Sequence, residues 1–205
     1  MLINKETSCS TAESYRKLRT NIKYLFKDKS LKKVLVTSTE KGEGKSTVSS
    51  NLACIFAKDS KKTLIIDCDL RSPSIHENFE VSNEIGFSDV IIDITKLEEA
   101  IINYCEYLDI LPSGKIPKSP SELLGSTNMD ILLEKLSESY DLIIIDSTPL
   151  LSVTDAQIIS TKVDGTLLVI KANKVSKKNV LISKSILEKL NSKILGAVLN
   201  CSYKK

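Results

Sequence analysis

The fold is decided by residues 34–47, which are Val34-Leu35-Val36-Thr37-Ser38-Thr39-Glu40-Lys41-Gly42-Glu43-Gly44-Lys45-Ser46-Thr47. The apolar run predicts a buried β-strand, and a helical pattern begins after Gly44. A strand that leads through a glycine-bearing turn into a helix is the context of a phosphate loop. The glycines let consecutive backbone N–H groups point inward, and the helix N-terminus adds positive potential. This segment therefore predicts a phosphate-binding site.

The residues of this loop have different expected roles. Lys45 is expected to reach the terminal phosphates of a nucleotide, and the Ser46 hydroxyl is placed for Mg²⁺. The residues predicted to contact the nucleotide are Gly42, Glu43, Gly44, Lys45, Ser46 and Thr47. The usual first glycine of the motif is replaced by Thr39. A glycine-containing turn before a helix is therefore the alternative interpretation.

Short apolar runs alternate with longer stretches of helical period along the rest of the chain, which is the pattern of β-α-β units. The runs lie at 34–36, 63–66, 108–111, 142–145, 166–170 and 194–199, and helices are expected at 45–58, 128–139 and 177–190. We therefore predict the α/β class, with a three-layer α-β-α arrangement and a mostly parallel central sheet. One P-loop domain is expected to cover residues 1–205. Prolines and serines predict a loop at 112–120.

An amphipathic helix is expected before the first strand, over residues 11–27. Apolar side chains recur there at helical spacing, at Tyr15, Leu18, Ile22 and Leu25. Ser10 and Glu13 fit a capping box at its start. In the last helix, an apolar stripe is expected from Val180, Ile182, Ile186, Leu187 and Leu190.

Composition indicates a soluble, folded protein. The 205 residues are 41% hydrophobic and 27% charged, and the net charge of +3 is too weak to indicate nucleic-acid binding. No stretch approaches the roughly 18 apolar residues of a membrane span, and the first ten residues lack the apolar core of a signal peptide. We expect a cytoplasmic location. The five cysteines and His76 form no metal or redox motif, so reduced thiols are expected.

Polar side chains follow three of the predicted strands. Asp67 and Asp69 come after the run at 63–66, and Asp146 follows the run at 142–145. Ligands collect at the carboxyl ends of strands in open α/β sheets, so these acids are candidate Mg²⁺ ligands. A turn or helix cap is the alternative for each aspartate. Asn200 ends the last strand, where its amide would suit an adenine edge or a plain turn.

Three segments in this order resemble the motifs of one family. The phosphate loop, Asp67-Cys68-Asp69-Leu70-Arg71 and Ile145-Asp146-Ser147-Thr148-Pro149 are similar to the Walker A, Walker A′ and Walker B motifs of the bacterial tyrosine kinases of capsule and exopolysaccharide synthesis. The segments 120–124 and 153–156 also fit. The resemblance extends from about residue 11 to residue 200, and it implies a P-loop ATPase fold.

The first helix adds a further family mark. Glu13, Arg16 and Arg19 reproduce the family's Glu-x2-Arg-x2-Arg pattern, which the resemblance associates with contacts between subunits. From the residues alone, the alternative is a capping glutamate followed by two surface arginines. With the resemblance, a role of this helix in oligomerisation is expected.

The resemblance implies ATP-dependent transfer of a phosphoryl group to tyrosine hydroxyls, mainly on a neighbouring copy. Lys45 would hold the phosphates, and Asp67 would orient or deprotonate the attacking tyrosine. Arg71 would assist at a phosphate or at a subunit contact. Mg²⁺ would be bound, directly or through water, by Ser46, Asp69 and Asp146. Such a transfer depends mostly on positioning and charge neutralisation.

The resemblance also implies partners. These are further copies of the chain, arranged as a ring, protein tyrosine substrates, a tyrosine phosphatase, and the cytoplasmic tail of a separate membrane-spanning activator. The activator would recruit the kinase to the inner face of the plasma membrane. The family's C-terminal tyrosine cluster is reduced to Tyr203 in the short tail 201–205. The acceptor is therefore Tyr203, Tyr15 or a tyrosine of another protein.

Two other functions remain open at this point. A partitioning or cell-division ATPase of the same superfamily would carry a signature lysine five positions before Lys45, where this chain has Glu40, with Lys41 displaced by one. A nucleotide-binding regulator without kinase activity would control a polysaccharide export complex through assembly and disassembly. Phosphotyrosine in the purified protein would distinguish the kinase from both.

Overall fold

The computed structural model describes residue 2, residues 9–25 and residues 31–202. The strands are β1 (Lys33–Ser38), β2 (Thr63–Asp67), β3 (Ile102–Cys105), β4 (Leu108–Leu111), β5 (Leu142–Asp146), β6 (Gly165–Lys171) and β7 (Ile194–Asn200). The helices are α1 (Cys9–Leu25), α2 (Lys45–Ala57), α3 (Ile75–Phe79), α4 (Phe87–Ile92), α5 (Leu97–Ala100), α6 (Pro120–Gly125), α7 (Thr127–Ser139), α8 (Asp155–Ser160) and α9 (Lys177–Lys189). A 3₁₀ turn, Ile94–Lys96, precedes α5.

The strands form one sheet in the order β3-β4-β2-β5-β1-β6-β7. All neighbouring strands are parallel except β3 and β4. The predicted α/β class and mostly parallel sheet are confirmed. In the register of the sheet, Asp146 is opposite both Val36 of β1 and Asp67 of β2. The carboxyl ends of these three strands therefore meet at one edge of the sheet, as expected for a ligand site.

The central strands are buried on both faces, which explains their continuous apolar sequences. Leu35 packs into the cluster on one face, together with Phe87 of α4 and Leu132 of α7. Its neighbour Val36 packs into the cluster on the other face, which includes Leu52 of α2. Because successive side chains of a strand point to opposite faces, the sheet lies between two layers of helices.

Helix α1 packs against the same layer as α2. Ile22 is buried, and Tyr15 and Leu18 pack against the cluster on that face. Leu25 is 44% exposed, so the predicted apolar stripe does not extend to it. Ser10 lies inside the helix rather than at its cap, and Glu13 pairs with Arg16 at 3.2 Å. The predicted end of this helix, at residues 26 and 27, lies outside the described residues.

Two details differ from the sequence expectations. Strand β3 was not predicted, because three of its four residues are exposed and it carries no apolar run. In α9 the buried positions are Ser183 and Leu187, whereas Ile182 is 40% exposed. Positions 182 and 187 are five residues apart, or about 140° around a helix of 3.6 residues per turn, so they cannot share one narrow stripe.

The predicted loop at 112–120 is confirmed only as far as Ser119, because Pro120 begins α6. Its first residues are buried and bonded to the start of α4. The N–H of Phe87 donates to Pro112 O at 2.7 Å, and the N–H of Ser88 donates to Ser113 O at 2.9 Å.

No described helix is both long and apolar enough to cross a bilayer.

Candidate functional site

The phosphate loop connects β1 to α2 and has the backbone that its glycines allow. Gly42 and Gly44 have φ angles of 79° and 87°, in the left-handed region that side chains with a Cβ rarely adopt. A Cβ added to Gly44 would also clash with the side-chain amide of Asn200. Helix α2 begins directly at Lys45, so its N-terminal N–H groups face the same loop.

Glu43 and Asn200, which were both predicted to contact the nucleotide, hold this loop through their side chains. The Glu43 side chain is buried, and its carboxylate accepts the N–H of Glu40 and, at 2.9 Å, the N–H of Lys171. Asn200 donates from Nδ2 to Glu43 O at 2.8 Å and accepts the N–H of Cys201 at 2.9 Å. The bonds of Glu43 to Lys171 and to Asn200 fix the loop against β6 and β7. The adenine role of Asn200 stays a prediction.

Lys45 and Asp69 form an ion pair in the cleft. Lys45 Nζ lies 2.8 Å from Asp69 Oδ2, and the two side chains are only 14% and 4% exposed. Burial alone would lower the pKa of Lys45, but Asp146 and Asp69 outweigh it and the pKa is raised. Lys45 is therefore a permanent cation at the position where a phosphate would bind.

Asp67 is fully buried at the end of β2. Its carboxylate accepts the N–H groups of Ser74 and Ile75 at 2.9 Å and of Asp69 at 3.1 Å. Burial raises the pKa of Asp67 to about 7, with a further increase from the neighbouring Asp146, against the lowering effect of these backbone bonds. An acid that titrates near neutral pH can accept or release a proton under physiological conditions.

Asp146 is fully buried at the end of β5. The Ser49 hydroxyl donates to its Oδ1 at 2.8 Å, whereas Oδ2 has no hydrogen-bond partner in the described part of the chain. Burial raises the pKa of Asp146, although Lys45, Ser46 and Ser49 act against this rise. Ser49 was not predicted as a site residue. It lies one helical turn after Lys45, on the face of α2 that meets the sheet.

The residues of this edge fit a magnesium ion that is shared with a nucleotide. Within the described ranges, no three His, Cys, Asp or Glu side chains lie close enough to hold a metal by themselves. Mg²⁺ normally takes one or two carboxylates and completes its shell with phosphate oxygens and water. The unpaired Oδ2 of Asp146 is a buried oxygen of the required type. Ser46 and Asp69, at the same edge, remain the other predicted ligands.

The described residues form a cleft of 440 Å³ above this edge. Its lining comes from the phosphate loop, from Asp69, Arg71 and Ser72 after β2, and from Thr148 and Pro149 after β5. Neither Asp67 nor Asp146 lies on its wall. The structure therefore brings Lys45, Asp69 and Arg71 together at the surface of the cleft and places the other two acids beneath it.

Arg71 is held by a contact that the sequence did not predict. Its Nε and Nη2 lie 2.8 and 3.2 Å from the two carboxylate oxygens of Asp155, which is fully buried. The Ser121 hydroxyl donates to the same carboxylate at 2.6 Å. The segments 120–124 and 153–156, which fitted the family without an assigned role, therefore meet at this cluster.

The remaining candidate residues lie away from these contacts or outside the described part. Glu13 and Arg16 are about half exposed and pair with each other, whereas Arg19 lies 3.4 Å from Asp59 of its own chain. Tyr15 is partly buried, with its pKa raised mainly by burial and its hydroxyl bonded to Asn51. Tyr203 lies outside the described residues.

A family model described as an AAA domain matches residues 31–195. The tyrosine-protein kinase YwqD of Bacillus subtilis (strain 168) is 41% identical over 196 residues, which cover 95% of this chain and 83% of YwqD. The solved kinase domain of the Escherichia coli tyrosine kinase ETK superposes with a TM-score of 0.93 at 34% identity, covering 98% of this chain and 79% of that domain. The chimerical protein CapA2B2 superposes with a TM-score of 0.92 at 35% identity, covering 98% and 88%.

The fold and the phosphate loop define a P-loop ATPase, with the nucleotide binding that this class implies. At this identity and coverage, the chain belongs to the bacterial tyrosine kinase family. The predicted resemblance is confirmed. By family the chain is a tyrosine-protein kinase, an ATP phosphotransferase, and this assignment favours the kinase over the partitioning ATPase.

Proposed function

We propose that this protein transfers the terminal phosphoryl group of ATP to tyrosine hydroxyls, mainly on a neighbouring copy of itself, and so regulates capsular or exopolysaccharide synthesis. The observation that supports this function best is the cleft in which Lys45 pairs with Asp69, whose N–H donates to the buried acid Asp67. Such a transfer depends on a cation that neutralises the phosphates and on a carboxylate that orients or deprotonates the attacking hydroxyl.

The side chains have distinct proposed roles. Lys45, Arg71 and the N–H groups of the loop bind the phosphates and neutralise their charge. Asp67 orients the tyrosine hydroxyl and accepts its proton, because the raised pKa allows it to exist in either form at neutral pH. Since Asp67 is buried, this role requires that substrate binding open a path to it.

Magnesium, when bound, supplies charge neutralisation at the phosphates. Ser46, Asp69 and Asp146 are the residues proposed to hold it, directly or through water. With Asp69 engaged in this way, Lys45 would be available to the phosphate oxygens. The Ser49 hydroxyl, which donates to Oδ1 of Asp146, keeps this carboxylate oriented.

Assembly is the second part of the proposal. Residues 1–205 form one kinase domain, in which the helix at 11–27 makes subunit contacts and residues 201–205 form a tail with the acceptor Tyr203. Glu13 and Arg16 support this role, because both are exposed and can exchange their mutual ion pair for one across an interface. Arg19 already bonds to Asp59, so it shapes the surface next to α2.

Partners and location complete the proposal. The cytoplasmic tail of a membrane-spanning protein activates the kinase and recruits it to the inner face of the plasma membrane. Other proteins are tyrosine substrates, and a tyrosine phosphatase reverses the reaction. The name of YwqD, a tyrosine-protein kinase, supports the tyrosine substrates of this proposal.

Intact mass and phosphotyrosine detection after incubation with ATP and Mg²⁺ test the chemistry. We expect wild type to gain the mass of a phosphoryl group and Asp67→Asn to gain none. Asp130→Asn is the matched control, because it removes an exposed aspartate that pairs with Lys162. ATP hydrolysis by wild type without any phosphotyrosine, in the presence of the activator tail, would instead indicate a switch ATPase.

Transfer between copies needs its own experiment. A Lys45→Met chain that carries a mass tag is mixed with wild type, ATP and Mg²⁺. We expect phosphate on the tagged chain, at Tyr203, and loss of this transfer when Glu13 and Arg16 are both replaced by alanine in each chain. Phosphate on the untagged chain alone would contradict transfer between copies.

A further inference from the structure

Asp155 is a buried acid that the proposed transfer does not use. It lies at the start of α8, has no exposed surface, and is surrounded by donors from two other segments. Arg71 reaches both of its oxygens from the segment after β2, at 2.8 and 3.2 Å. Ser121 of α6 donates to Oδ1 at 2.6 Å. Three separate segments therefore converge on one carboxylate.

Asp155 binds the guanidinium of Arg71 along one edge, through Nε and Nη2. Its guanidinium is bound by two parallel contacts, the arrangement that fixes an arginine most firmly. The side chain is nevertheless 42% exposed, and Arg71 lines the cleft beside Lys45 and Asp69. The contacts within the described residues use Nε and Nη2, so the hydrogens of Nη1 remain for a ligand in the cleft.

The Ser121 hydrogen bond affects how strongly Arg71 can attract an anion. A carboxylate paired with an arginine cancels part of its positive charge. A short hydrogen bond from Ser121 takes up part of the negative charge of Asp155. Asp155 therefore still orients Arg71, while Arg71 keeps more of its positive charge available to an anion in the cleft than it would without the Ser121 bond.

We propose that Asp155 is a positioning residue that holds Arg71 toward the terminal phosphate of ATP. This inference rests on the proposed function for its meaning in catalysis, but not for its test. A fixed guanidinium binds a phosphate with less loss of rotational freedom than a mobile one. Only nucleotides with a third phosphate gain from the contact, so Arg71 and Asp155 discriminate ATP from ADP.

The test measures binding of the non-hydrolysable analogue AMP-PNP and of ADP, each with Mg²⁺, by calorimetry. A charge-assisted hydrogen bond corresponds to about a tenfold or larger change in affinity. We expect Arg71→Ala and Asp155→Asn each to weaken AMP-PNP about tenfold and ADP less than about twofold. Lys184→Ala is the matched control, since it removes an exposed ion pair with Glu188 and should change neither.

Chemical rescue separates positioning from folding. Guanidinium ion at a concentration far below denaturing levels can occupy the space left in Arg71→Ala and bind Asp155. We expect it to restore AMP-PNP affinity in Arg71→Ala but not in the double variant Arg71→Ala/Asp155→Asn. If Asp155→Asn does not fold, Ser121→Ala takes its place, with an expected loss of about threefold for AMP-PNP alone.

Equal loss of ADP and AMP-PNP affinity in Arg71→Ala, or an unchanged ratio in Asp155→Asn, would overturn the inference. Rescue of the double variant by guanidinium would do the same. In the transfer reaction, we expect Asp155→Asn to lower kcat by more than it raises the KM for the acceptor. Absence of tyrosine phosphorylation in wild type would overturn the proposed function, whereas the binding ratio decides this inference independently.

Discussion

The buried pair Asp67 and Asp146 makes the stability of the nucleotide-free protein depend on pH in an unusual direction. The pKa of Asp67 is raised in the folded protein from 3.8 to about 7, first by burial and then by Asp146. Protonation therefore favours the folded state. The stabilising contribution is complete below about pH 4 and is lost as the pH rises through about 7.

The magnitude follows from the same two values. A rise in pKa from 3.8 to about 7 corresponds to about 4 kcal/mol between the extremes of pH. About 2 to 3 kcal/mol of this falls between pH 5 and pH 8, because the unfolded carboxyl is already ionised at pH 5. Urea unfolding without nucleotide, followed by circular dichroism at both pH values, should show wild type less stable at pH 8 by this amount.

The variant Asp67→Asn removes one of the two titrating acids and should reduce this dependence. Asp130→Asn, an exposed acid, should leave it unchanged. His76, the one histidine of the chain, is replaced by glutamine in every protein compared, so that no imidazole contributes to the difference. A free energy of unfolding that rises from pH 5 to pH 8, or an equal slope in Asp67→Asn, would refute the reasoning.

Three further outcomes are expected. Gly86→Ala should lower the free energy of unfolding by about 3 kcal/mol, because the added Cβ would overlap backbone atoms of the buried loop at 112–114. The control Gly125→Ala, which has open space around the added Cβ, should change the free energy of unfolding by less than about 1 kcal/mol. Urea titration measures both variants. Asn200→Ala should weaken ATP about tenfold by calorimetry, because the phosphate loop loses its bond to β7; unchanged affinity would contradict this role. Lys45→Met should abolish measurable ATP binding. It should also lower the free energy of unfolding at pH 8 by about 3 kcal/mol, because buried acids lose their cation. Retained ATP binding would argue against the proposed position of the phosphates beside Lys45.

The sequence predicted the parts of the fold that repeat a local pattern. The strands β1, β2 and β5 each contain a continuous apolar run because both of their faces are buried, so these runs were visible without a structure. The acids after β2 and β5 were predictable because parallel strands bring their carboxyl ends to one edge. The edge strand β3 was not predictable in this way, because its side chains are mostly exposed.

The parts of the site that depend on distant contacts could not be predicted. Glu43 was expected to contact a nucleotide because of its place in the loop, but its carboxylate is bonded to the N–H of Lys171, 128 residues away. The bond of Arg71 to Asp155 likewise joins residues 84 positions apart. Periodicity and spacing report neighbours along a helix or a strand, and they carry no information on such pairs.

The ion pair between Lys45 and Asp69 has a consequence for nucleotide exchange. The lysine ammonium is already paired at 2.8 Å with an acid of the same chain. A nucleotide that binds must separate Lys45 from Asp69, and the ion pair forms again when the nucleotide leaves. Asp69 thus competes with the phosphates of any nucleotide for Lys45, and this competition offsets part of the affinity that the lysine contributes.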